Sequence, residues 1–203
     1  MNDFEKGLLK YFSTDQLMAI RRTKIGIAGC GGLGSNIANA LVRSGLSDFE
    51  IIDHDTVEAS NLNRQNFYLD EIGLSKVEAT TTRLIKINPN IYVTAKKTYL
   101  DESNIAEQFK DRDIIFEAFD SAASKKLFLE TFGNNGKLLI MGSGMAGFSN
   151  EKSIAVRKIK DNIYIVGDEE SDIAKGLPPL APRVIACAAM MASVALEKIL
   201  INA

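Results

Sequence analysis

Two hydrophobic rhythms take turns along this chain. Residues 24–28 (KIGIA), 49–53 (FEIID), 91–98 (IYVTAKKT), 113–117 (DIIFE) and 137–143 (KLLIMGS) are short apolar or alternating runs, the mark of strands. Between them, residues 35–44, 75–87, 101–109 and 122–132 space their apolar side chains as helices do. Gly45 stops the first of these, and Asn88-Pro89 stops the second because the residue before a proline disfavours helical backbone. Strands alternating with helices in this way predict βαβ units. The expected fold is α/β: Rossmann-like, doubly wound, with a mainly parallel sheet and helices on both faces.

The flanks extend this pattern. Residues 3–20 predict an N-terminal helix, and residues 55–71 read as an irregular loop with a short helical turn. Residues 153–160 and 162–166 predict a hairpin, an antiparallel extension at the C-terminal end of the sheet. The acidic segment 167–176 (GDEESDIAKG) reads as a mobile surface loop, and Pro178, Pro179 and Pro182 lead into a long helix over 181–200. That helix is apolar on nearly every face, so it belongs in the core or in a dimer interface. With no repeat or linker, residues 1–203 are expected to form a single domain: an N-terminal helix (1–20), a nucleotide-binding core (21–148), and a hairpin, crossover loop and terminal helix (149–203).

Composition narrows the function. The chain has 203 residues, 24 Lys+Arg against 26 Asp+Glu, and 46% hydrophobic residues, which fits a globular domain and excludes disordered or disulfide-rich classes. A net charge of −2 argues against a nucleic-acid binder. The most apolar run, residues 184–196, is shorter than the roughly 20 residues a bilayer core requires, so no membrane span is expected. Cys30 and Cys187 form no CxxC pair, which argues against zinc, and one histidine, His54, leaves little room for histidine-based catalysis. A reducing cytoplasm is the expected compartment.

Gly29, Gly31 and Gly34, with Gly32 and Leu33 between them, make a G-x-G-x-x-G turn between the first strand and its helix. Glycines there let the backbone approach an anion held against the helix N-terminus. Asp53 lies 19 residues past Gly34 at the tip of the second strand, placed to accept from ribose hydroxyls. This unit alone fits NAD or ATP, or a tight turn that binds nothing. Beyond it come Asp55, Asn61, Arg64 and Gln65, then Lys76 near the start of a helix. A dinucleotide has no particular use for that Arg and Lys, whereas a triphosphate needs its charge compensated while a P–O bond breaks; the alternative is two solvated cations on a helix and loop. Asp120 follows the fourth strand, where catalytic groups gather in a parallel sheet, although it could equally cap the helix at 122–132.

GCGGLGS, then DxDxVxxSNLNRQ, then a lysine opening a helix that ends in INPNI, resembles the ThiF/MoeB/HesA family. These are bacterial relatives of ubiquitin-activating enzymes. The similarity runs over about residues 21–140 and resumes at 182–200. It implies ATP-dependent adenylation of the C-terminal glycine of a ubiquitin-like sulfur carrier. Carried over by position, it implies a phosphate loop at Gly29–Gly34, a ribose contact at Asp53, and nucleotide contacts at Asn61, Arg64 and Lys76. Magnesium would fall on Asp120. The compact length and the PPLAPRV segment resemble the ThiF-like branch of thiamine (thiazole) biosynthesis, with a ThiS-like carrier and a homodimer.

Two departures matter. Larger members carry paired CxxC motifs for zinc, and here there are none. The family's N-terminal arginine motif is also missing in its usual form, leaving Lys10, Arg21 and Arg22 as substitutes. Cys187 lies in an Ala/Met-rich helix and is expected to be a buried small residue, so no thioester step is expected on this chain. Other readings are activation of a different carboxylate (a molybdopterin-synthase small-subunit-like carrier, a peptide or a tRNA), an NAD-dependent oxidoreductase, or a non-catalytic partner subunit.

Overall fold

The computed structural model describes residues 1–148, 153–171 and 175–201. Seven strands form one sheet: β1 (Lys24–Ala28), β2 (Asp48–Asp53), β3 (Tyr92–Lys97), β4 (Ile114–Glu117), β5 (Leu138–Gly142), β6 (Ala155–Lys160) and β7 (Ile163–Gly167). Their order is β3-β2-β1-β4-β5-β7-β6, parallel throughout except for the antiparallel β6–β7 hairpin. The chain builds outward from β1 in one direction through β2 and β3, then returns to β1's other side with β4. That reversal opens a crevice at the carboxyl ends of β1 and β4. The doubly wound, mainly parallel fold expected from the pattern is the one found.

The helices are α1 (Asp3–Leu8), α2 (Thr14–Arg22), α3 (Gly32–Arg43), α4 (Lys76–Ile87), α5 (Ala122–Phe132) and α6 (Ala181–Ile201). Strand alternation sorts the core. Ile25 and Ile27, Phe49 and Ile51, and Ile114 and Phe116 face a layer containing α3 and α6, while Ile52, Ile115 and Leu139 face Phe128 and Phe132 of α5. Gly26 sits in β1 because a Cβ there would lie 2.6 Å from the Phe109 ring, which packs across the strand.

Three expectations change. The N-terminal helix is two helices, because Ser13 takes extended backbone and caps α2 by accepting from the Gln16 amide. The helix expected at 101–109 is a single 3₁₀ turn, Ile105–Glu107. Its end is set by burial: Phe109 adopts a left-handed φ of 58° and is 1% exposed within the α5-side core. The acidic segment is also more structured than a mobile loop at its start. The Asp168 side chain is 1% exposed, accepts from the amides of Glu170 and Ser171, and pairs with Arg183 at 2.6 Å. Residues 172–174 of that segment lie outside the described residues.

Among the described residues, one helix, α6, is long and apolar enough to cross a membrane by length and composition. In this fold its Val184, Cys187, Met191 and Ala195 are buried in the α3-side core, and Ile185 is exposed.

Candidate active site

The turn from β1 into α3 follows directly from its glycines. Gly29 has φ 95°, and a Cβ there would lie 2.8 Å from the Ala118 carbonyl of the neighbouring turn. A Cβ on Gly34 would lie 1.9 Å from the Gly29 carbonyl, so only glycine lets α3 start so close to the strand. Gly34 therefore packs the turn and is buried, away from the cleft lining. Gly31 differs, because a Cβ there would meet nothing nearer than Gln65 Nε2 at 3.6 Å. The α3 N-cap is Gly31, which supplies no side-chain cap, so the first amides of the helix are available to an anion.

A cleft of about 810 Å³ opens over this turn. Gly29, Gly31, Gly32 and Leu33 form one wall, with Asp53, Asp55 and Asn61 beside them. Arg64, Gln65, Lys76 and Asp120 line the same cleft, so the two cations and the acid expected to act together are brought together. Burial lowers the Arg64 pKa from its ordinary value and the Asp120 carboxylate opposes that shift, which places the two charges within each other's field. Lys76 Nζ is 2.6 Å from Asp55 Oδ2. Arg64 donates to the Ser60 carbonyl at 3.2 Å and to Asn63 Oδ1 at 2.8 Å.

Some expected contacts are spent inside the protein. Asp53 accepts from the Cys30 amide at 2.6 Å and from the Asp55 amide at 2.7 Å, so its carboxylate braces the glycine turn. Asn61 is buried and its Oδ1 accepts from the Glu58 amide. Gln65 is buried too, and among the described residues its Oε1 has no hydrogen-bond partner. Asp120 is exposed and does not cap α5: Ser121 does, accepting from the Ser124 amide at 3.0 Å.

Several functional-site neighbours lacked a sequence signal. Asn36 Nδ2 donates to the Gly32 and Arg64 carbonyls and ties the arginine loop to α3. The Glu117 carboxylate, fully buried, receives Lys125 at 2.9 and 3.0 Å. Burial raises the Glu117 pKa, and Lys125 works against that rise. Glu169, Glu170 and Ser171 line the cleft beside the segment from Gly142 to Ala146, the Glu169 amide donating to the Ser143 carbonyl at 2.9 Å.

Arg21 and Arg22 end α2 just before β1 begins, at the amino end of that strand and so opposite the cleft at its carboxyl end, and Arg21 lies 3.4 Å from Glu5. Cys187 is fully buried with its thiol 3.4 Å from the Val166 carbonyl, and burial pushes its pKa to about 12.

The donor set fits a magnesium-bound nucleoside triphosphate. The cleft combines an uncapped helix start, the Arg64 and Lys76 cations and the exposed Asp120 carboxylate, with Asp53 and Asp55 on the same lining, and Mg²⁺ is commonly held by one or two carboxylates plus phosphate oxygens.

Comparison with known proteins agrees with this geometry. The chain is 32% identical over 117 residues to molybdopterin-synthase adenylyltransferase of Escherichia coli, covering 57% of this chain and 47% of that protein. It is 31% identical over 135 residues to the adenylyltransferase and sulfurtransferase uba4 of Ogataea parapolymorpha, covering 66% and 35%. The chain thus spans less than half the length of these curated relatives. The structure of E. coli tRNA N6-threonylcarbamoyladenosine dehydratase, TcdA, in complex with ATP aligns with a TM-score of 0.86 at 25% identity, covering 97% of this chain and 93% of that one. E. coli MccB with AMPCPP and MccA shares the fold, with a TM-score of 0.72 at 21% identity over 93% and 59%. The ThiF family model matches residues 5–200, nearly the whole chain, and with the glycine turn, the cation pair and Asp120 on one cleft, this protein belongs to the ThiF family.

Proposed function

We propose that this chain is an adenylyltransferase that uses ATP to activate a carboxylate, releasing pyrophosphate. The observation that carries the reading is the convergence of Arg64, Lys76 and Asp120 on the cleft above the uncapped start of α3. A carboxylate oxygen attacks the α-phosphorus, a new O–P bond forms, and the bond to the bridging oxygen of the β-phosphate breaks. The attacking group is already ionised at neutral pH, so no general base is required. Arg64 and Lys76 neutralise charge on the leaving pyrophosphate and the α3 amides hold the phosphates; Asp120 would hold Mg²⁺, which would supply Lewis-acid charge compensation. Asp53 keeps the glycine turn in shape and presents its edge to the ribose.

The proposed acceptor is the C-terminal glycine of a ubiquitin-like sulfur carrier. Molybdopterin-synthase adenylyltransferase among the relatives favours a carrier of that kind, and a ThiS-like carrier of thiazole formation is the branch suggested by the PPLAPRV segment. TcdA, a tRNA N6-threonylcarbamoyladenosine dehydratase, favours a tRNA-linked acceptor as the second reading. Homodimer formation and a reducing cytoplasm complete the proposal, with both thiols free and buried.

The test is ATP–pyrophosphate exchange with purified ThiS-like and MoaD-like carriers and with tRNA in parallel. Exchange dependent on one carrier is the expected result. Stimulation by tRNA alone would move the chain to the other branch. Stabilisation by NAD, and not by Mg-ATP, in a thermal melt would end the adenylation reading.

A further inference from the structure

We infer that Glu117 and Lys125 form a positioning pair that holds the Asp120 turn against the phosphate loop. This rests on the adenylation reading above, in which Asp120 meets the metal-bound triphosphate. The turn from β4 to α5 is short and its acidic residue is exposed, so something must fix its backbone. Glu117 Oε1 accepts from the Phe119 amide at 2.6 Å, inside the turn itself. Lys125, on the first turns of α5, donates to both Glu117 oxygens and to the Gly142 carbonyl at 2.7 Å.

An ammonium has three N–H donors, and all three are used here, so Lys125 has none left for a ligand although it lines the cleft. Its work is to join the carboxyl end of β4, the end of β5 and the start of α5 at one buried point. The remaining side of the turn is set by the phosphate loop: the Ala118 amide donates to the Ala28 carbonyl, and Gly29 leaves space for the Ala118 carbonyl. The spacing between Asp120 and the glycine turn is therefore fixed by a pair whose polar atoms are all engaged within the protein. Residues that orient a ligating carboxylate from behind change metal affinity or activity by about ten- to a hundredfold when removed.

The experiment measures ATP affinity by calorimetry with Mg²⁺ and with EDTA, without any acceptor, alongside amide hydrogen exchange over residues 118–121. In Lys125→Met the Mg²⁺-dependent gain in ATP affinity is expected to fall about tenfold or more, metal-free affinity to hold within about twofold, and the Phe119 amide to exchange faster. Lys125→Arg should recover most of the loss. If Lys125→Met does not fold, the Glu117→Gln/Lys125→Met pair removes both charges, keeps an acceptor for the Phe119 amide, and is measured in the same way. A folded variant with unchanged Mg²⁺ dependence and unchanged Phe119 exchange would overturn the inference. A wild-type chain that binds Mg-ATP but exchanges pyrophosphate with no acceptor would overturn the adenylation reading alone, since these readouts need no turnover.

Discussion

The Lys76 ammonium lies 2.6 Å from the Asp55 carboxylate, with Lys76 7% exposed and Asp55 46% exposed. The cation assigned to the triphosphate is therefore held in place by an acid on the strand-to-loop junction after β2. Removing such a positioned charge costs about 10²–10³ in kcat, so Lys76→Ala should lower pyrophosphate exchange by that factor. Asp55→Asn retains an oxygen for Lys76 and should cost less. Equal losses in the two variants, measured by steady-state exchange, would mean that Asp55 itself contacts the nucleotide.

Asp120→Ala should abolish carrier-dependent exchange while leaving the melting temperature almost unchanged, because Asp120 is exposed and caps nothing. Ser121→Ala should do the reverse. Loss of a serine N-cap costs about 1 kcal/mol, visible in a denaturant titration, with the chemical step preserved.

Two glycines in one turn should fail differently. Gly34→Ala places a Cβ against the Gly29 carbonyl and should destabilise the whole domain. Gly31→Ala meets only an ordinary van der Waals contact with Gln65 at 3.6 Å and should fold normally, yet weaken ATP binding by crowding the approach to the α3 amides. Calorimetric titration of the folded Gly31→Ala chain decides between this outcome and a turn that binds nothing.

Burial pushes both thiols from about 9 to about 12, which ties them to alkaline stability. Between those values the unfolded chain loses a proton that the folded chain retains, so stability is fully present below pH 9 and falls as pH rises towards 12. Replacing Cys187 with Ala should flatten part of that decline and leave exchange activity in place. Iodoacetamide should not label either thiol in the native protein at neutral pH, as mass spectrometry would show.

The glycine turn, Asp53 and the alternation of strands with helices were legible because each is a local pattern: a turn needing absent Cβ atoms, or strands of period two feeding helices. The helix expected at 101–109 was not, since its end depends on Phe109 finding room above Gly26, a contact made across the sheet. Nor did the sequence reveal that Asp168 would be buried, because its partner Arg183 reaches it only once α6 packs beside β7. Glu117 and Lys125 were equally silent. They stand on opposite ends of a turn, and only the register of β4 with β5 brings the Gly142 carbonyl to complete their contact.

Among the described residues the α6 helix follows every other element, yet it closes the core over α3, with Val184 3.0 Å from where a Cβ on Gly32 would sit. A nascent polypeptide emerging from the ribosome would thus carry the entire glycine motif long before that motif gained a rigid floor. Nucleotide capture should arise abruptly during synthesis, at the moment the last helix docks, and a chain truncated ahead of residue 181 should be a poor ligand trap despite retaining Arg64, Lys76 and Asp120.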